Sequence, residues 1–261
     1  LIPSAAKNTN QVIERILVKL TNDCDITDFE LRRFIRDAES QVDAERMYIV
    51  KALAYTVHGS RDDAREQALF ALESLQQEAT LTHALLVLQC NGFHREILDF
   101  MKDNKVLFSR CGFYDSLASV LVALPNVDYI RIIKETLTKL DRNAEAGSLM
   151  KLCDFFISNV ERAESEFNIP QSTVGEISEF AAEVADKYEG VVINRSAFTL
   201  SPSGEWFSLT YYVELKDSLL VDLNLDLADL VIDRGLDTLP LVSKFEVIPA
   251  GADRVRCKYA N

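Results

Sequence analysis

Four breakers stand 33 residues apart in this chain: Gly59, Gly92, Pro125 and Ser158. Each belongs to a turn-like pair, His58-Gly59, Asn91-Gly92, Pro125-Asn126 and Ser158-Asn159. Such pairs punctuate helices, and the stretches between them carry apolar residues at helical spacing. A period of this length holds two helices and a turn. The spacing therefore predicts a stack of helical hairpins. An irregular helical bundle is the competing architecture.

The best-formed unit runs from Ala44 to Leu75. Ala44 to His58 places Met47, Val50, Ala54 and Val57 at helical steps, with Leu53 between them. Gly59 can adopt the left-handed conformation that closes a helix, and Ser60 or Asp62 can cap the next one. The second helix, Arg61 to Leu75, lines up Ala64, Ala68, Ala71, Leu72 and Leu75. Small residues on that face allow close helix approach.

This pair resembles a tetratricopeptide repeat. Aligned on Gly59, Tyr48 takes the place of the pattern's first aromatic, Ala52 and Tyr55 its small residue and tyrosine, and Ala64 the alanine of the second helix. Lys51 stands where leucine is usual, Ala68 where an aromatic is usual, and no proline follows. In the next unit Leu85, Leu88 and Ile97 replace Ala52, Tyr55 and Ala64. The resemblance implies a domain that makes protein–protein contacts, with Arg46, Ile49, Leu53 and Thr56 on the inner helix. Tetratricopeptide domains that grip a terminal carboxylate present lysine and asparagine there. These residues are neither, so an apolar helix or an adjacent subunit is the expected occupant.

Outside this unit, residues 1–10 read as frayed and Gln11 to Leu20 as a helix. Thr27 with Glu30 forms a capping-box pattern ahead of another. Further helices are expected over 81–90, 93–102, 113–124, 127–140, 144–158 and 171–189. At Gly190 the period changes from helical to two-residue. Val191 to Leu200 and Trp206 to Leu215 read as a β-hairpin, with Phe207, Leu209, Tyr211 and Val213 on one face. Asn224 to Arg234 reads as a helix, and Val242 to Ile248 with Asp253 to Tyr259 as a closing hairpin. The expected fold is mainly α: a tetratricopeptide-like solenoid over 1–189, then a small ββαββ-like α+β domain over 190–261.

The net charge of −13 disfavours nucleic acid and anionic membranes as general partners. No run is apolar and long enough to span a membrane. The five cysteines are scattered and form neither a disulfide framework nor a zinc motif. Free thiols suit a reducing compartment, and no signal peptide is visible. A cytoplasmic location is the expectation, although the chain starts at Leu1 rather than methionine.

The sequence shows no phosphate-binding glycine loop, nucleophile elbow, HExxH motif or EF-hand. His83, Cys90 and His94 would share a helix face only if Asn91-Gly92 did not break it. Asp222, Asp226, Asp229, Asp233 and Asp237 follow helical steps and could share a divalent ion. A simpler reading has the intervening leucines face the sheet and the aspartates face water. No metal or cofactor is therefore expected. Arg254, Arg256 and Lys258 alternate on one face of the last strand, a pattern that suits an ordinary half-buried strand or a contact surface for an acidic partner or a phosphate backbone. Trp206 and Tyr212 lie on the outer face of their strand as interface aromatics. The expected function is a non-enzymatic interaction or scaffold protein that binds a protein partner or itself. An enzyme or ligand-regulated protein with a site at the domain junction is the rival, but the sequence offers no nucleophile–base pair for it.

Overall fold

The computed structural model describes residues 4–22, 24–40, 43–75, 77–105, 114–139, 147–201, 203–215 and 219–248. They form a mainly helical protein with a small three-stranded sheet late in the chain. Two compact units divide at Phe93/His94. The change of period expected to mark a boundary at Gly190 falls inside the second unit, where helices and sheet share one core.

Among the described residues the first unit holds five helices: α1 (Ser4–Thr21), α2 (Asp28–Glu39), α3 (Ala44–His58), α4 (Arg61–Glu73) and α5 (Glu78–Cys90). The chain is already helical at Ser4, where a frayed end was expected. Thr27 and Glu30 form the full capping box: the Thr27 N–H donates to Glu30 Oε2 at 3.1 Å, and the Glu30 N–H to Thr27 Oγ1 at 3.3 Å. Asp43 caps α3 through the Glu45 and Arg46 N–H groups. Gly59 ends it with φ 84°, the left-handed conformation that a side chain would strain. Ser60 makes no cap bond; its hydroxyl instead meets His58 Nδ1 at 2.8 Å. α3 is the hub of the unit, packing against α1, α2, α4 and α5. Ala52, Leu53 and Ala54 are consequently all fully buried.

The second unit holds α6 (His94–Asp103), α7 (Tyr114–Ala123), α8 (Val127–Lys139), α9 (Gly147–Phe167), α10 (Gln171–Lys187), β1 (Val192–Leu200), β2 (Phe207–Glu214), α11 (Leu220–Asp233) and β3 (Leu241–Val247). The 33-residue spacing fails at its fourth member: α9 runs unbroken through Ser158-Asn159. Ser158 Oγ and Asn159 Nδ2 both donate to the Phe155 carbonyl, at 3.0 and 2.8 Å. Their polar groups are satisfied within the helix, so they do not break it. The break comes at Asn168, with φ 60°, and Pro170.

β1 and β2 pair antiparallel, and β3 joins β2 in parallel. A parallel neighbour needs a crossover, and α11 provides it. Phe207, Leu209, Tyr211 and Val213 face the core with α10 residues Ile177, Ala181 and Val184 and α11 residues Leu223 and Leu227. Tyr211 is fully buried. Its hydroxyl meets Ser178 Oγ at 3.0 Å, and burial pushes its phenol far above the ordinary range. The strand expected over Asp253–Tyr259 lies outside the described residues.

Candidate functional site

α1, α3 and α5 lie side by side, with α3 in the middle. A groove of about 270 Å³ runs along the face they share. Its apolar floor is Ile13 and Leu17 of α1, Ile49 of α3 and Ala79 of α5; Arg46, Thr80 and His83 supply polar edges. A second cleft of about 180 Å³ follows the other end of the same three helices, beside Leu20, Thr56 and Cys90.

The polar end of the groove is braced from below. Asp43 Oδ1 caps α3, while Asp43 Oδ2 accepts from Gln77 Nε2 at 2.9 Å, just before α5. Arg46 Nε lies 3.4 Å from the same carboxylate. The buried Thr80 hydroxyl donates to Glu45 Oε2 at 3.4 Å. At the far end Asn91 Nδ2 donates to Thr56 Oγ1 at 3.0 Å. Arg61 holds the Asn91 carbonyl at 2.7 Å and lies 4.4 Å above the Phe93 ring.

His83 sits on the groove wall. Burial disfavours its charged form and lowers its pKa below 6.5, although a backbone hydrogen bond at Ala79 acts the other way. At neutral pH the groove therefore presents an uncharged imidazole. The unfolded chain takes up a proton here at a higher pH than the folded chain does. This contribution to stability is complete above 6.5 and is lost as pH falls from there through the lowered folded value. NMR titration should place the His83 midpoint below 6.5, and His83→Gln should flatten the stability slope over that window. A midpoint at or above 6.5 would contradict the burial.

The four residues expected on the inner helix divide in the structure. Arg46 and Ile49 line the groove and Thr56 the second cleft. Leu53 does not reach the surface: it is fully buried at the centre of the helical packing. Ile49 is itself only 2 % exposed, so it forms floor rather than a contact knob. The α1 and α5 contributions, Ile13, Leu17 and His83, have no local signal that links them to α3.

Trp206 and Tyr212 belong to the second unit. Trp206 is 37 % exposed at the entry to β2, and its carbonyl accepts the Ser201 N–H at 2.9 Å. Tyr212 is half-buried with the Arg195 guanidinium 4.7 Å from its ring centre. Six residues of strand separate the two by roughly 20 Å, so they do not form one aromatic patch. Arg254, Arg256 and Lys258 lie outside the described residues.

His94 is buried and fully engaged. The Ile193 N–H donates to its Nε2 at 3.0 Å, so that nitrogen carries the lone pair. The ring proton is then on Nδ1, which donates to Asp186 Oδ1 at 2.9 Å. Asp186 also accepts the His94 and Arg95 N–H groups and so caps α6 from α10. Cys90 and Cys153 are buried and Cys24 is exposed. Burial pushes the Cys153 thiol up to about 11, an unreactive state at neutral pH. Among the described residues no group of three or more His, Cys, Asp or Glu side chains is placed to hold a metal ion. No helix among them is long and apolar enough to cross a membrane. Comparison with protein-family models, curated proteins and solved structures finds no match.

Proposed function

We propose that the chain is a non-enzymatic interaction protein and that the α1–α3–α5 groove grips an apolar helical segment of a partner protein. The observation that carries this reading is the shared face of three alternate helices, apolar along its floor and polar at its edge. Helical-hairpin stacks of the tetratricopeptide kind bind through such a face, because one helix of each pair lines it. The arrangement favours a helix over a terminal carboxylate. Among the described residues lining the groove the one cation, Arg46, is already directed at Asp43, whereas Ile13, Leu17 and Ala79 remain for hydrophobic contact.

Ile13 and Leu17 are half-buried groove residues that can be changed without emptying the core. Affinity capture by the wild-type chain, with quantitative mass spectrometry, should enrich a partner. Ile13→Lys with Leu17→Glu should reduce that enrichment by about tenfold or more while leaving the helical circular dichroism unchanged. Equal capture by the variant would reject the groove as the binding face. A parallel thermal-shift screen with nucleotides and divalent metals should give no stabilisation. A clear shift with one of them would replace this reading with a ligand-regulated protein.

A further inference from the structure

α11 is apolar on two faces. Leu223 and Leu227 pack into the core. Val221, Leu225 and Ile232 point outward and are 66, 59 and 56 % exposed, with the exposed Ala228 between them. Their spacing of four, three and four residues makes a continuous seam along three helical turns, about 17 Å long. Surface leucines scattered singly mean little, but an unbroken seam on one helix does. Asp222, Asp229 and Asp233 are exposed along one margin of this seam. Asp226 lies further round and is engaged by Lys187 at 3.7 Å.

The seam is held rigidly. Asn224 donates from Nδ2 to the Phe245 carbonyl at 3.1 Å and accepts the Phe245 N–H at 2.8 Å. It thereby satisfies both backbone groups of Phe245 on the outer edge of β3 and pins α11 to the sheet. The orientation of Val221, Leu225 and Ile232 is thus set before any partner arrives, which lowers the ordering cost of binding.

We propose that the outer face of α11 docks a basic amphipathic helix of a partner protein. Charge complementarity selects the occupant: an apolar ridge fills the seam, and lysine or arginine along its flank meets Asp222, Asp229 and Asp233. A second copy fits poorly. In an antiparallel pair of α11 helices the two aspartate margins would face each other, and each chain carries a net charge of −13. This surface lies in the second unit and does not depend on the groove between α1, α3 and α5.

The test uses the whole protein and two labelled 18-residue helical peptides. Both carry the same leucine ridge; one has lysine on its flanks and the other glutamate. Fluorescence anisotropy should show the lysine peptide binding at least about tenfold more tightly, with the preference shrinking as salt rises. Leu225→Ser with Ile232→Ser should weaken it by about tenfold or more. Both sites are exposed, and an unchanged melting curve will show that the fold survives. Asp222→Asn, Asp229→Asn and Asp233→Asn together should remove the preference for lysine while leaving residual binding. Equal binding of the two peptides, no binding of either, or indifference to the Leu225 and Ile232 changes would overturn the proposal. So would a light-scattering mass of two copies that falls to one in the Leu225/Ile232 variant, since the face would then belong to a second copy.

Discussion

Replacing His94 with alanine should destabilise the second unit by about 3 kcal/mol. The ring joins three elements: it starts α6, donates to Asp186 of α10 and accepts the Ile193 N–H of β1. It is 1 % exposed, so water cannot replace it. Alanine leaves the Ile193 N–H buried without an acceptor, removes a hydrogen bond to a carboxylate and opens a cavity. Each of these losses costs on the order of 1 kcal/mol or more. The melting midpoint should fall by roughly 6–12 °C for a unit of this size. Hydrogen exchange gives a sharper reading, because the Ile193 amide should lose more protection than amides in the middle of α9, which fall only with the stability of the unit as a whole. His94→Gln can still offer an oxygen near the position of Nε2 and should recover part of the loss. A His94→Ala protein within about 0.5 kcal/mol of wild type would show that the ring is not the junction described here.

The features legible in the sequence are those set by local chemistry. Thr27 and Glu30 are three residues apart and make their capping box within one turn. Gly59 closes α3 because glycine alone adopts that backbone without strain. The strict alternation of Phe207, Leu209, Tyr211 and Val213 sets the buried face of β2. The misread features depend on what lies across space. Ser158-Asn159 looks like a turn, yet both side chains fold back onto the Phe155 carbonyl. In α11 the alternating leucines suggested that every apolar residue turns inward. The helical period instead sends Leu223 and Leu227 in and Leu225 out. His94 and Asp186 are 92 residues apart, and no spacing rule connects them. The candidate groove was legible by one helix of its three: Arg46 and Ile49 were identifiable on α3, but Leu17 and His83 join them only through packing.

Leu53→Ala should cost about 3 kcal/mol, and Arg46→Ala almost nothing, although helical spacing placed both on one contact face. α3 is surrounded by α1, α2, α4 and α5, so only a narrow strip of it reaches the groove. Leu53 lies off that strip and is fully buried beside Ala52 and Ala54. Neighbours this small and this tightly placed cannot collapse far into the space a leucine leaves. The cost should therefore include most of the cavity as well as the lost transfer energy. Arg46 lies on the strip, half-buried, with only a peripheral ion pair to Asp43, whose contribution is at most about 1 kcal/mol. Hydrogen exchange in α3 of the full-length protein distinguishes the two. Leu53→Ala should speed exchange of the Val50–Ala54 amides by about a hundredfold, the equivalent of that destabilisation, while Arg46→Ala leaves it unchanged. If a partner occupies the groove, Arg46→Ala weakens its binding with no loss of stability. Leu53→Ala weakens it only as the helix itself loosens, so adding a stabilising osmolyte should restore binding to the Leu53 variant and not to the Arg46 variant. Similar exchange rates in the two variants would mean that Leu53 does not occupy the packed centre of the unit.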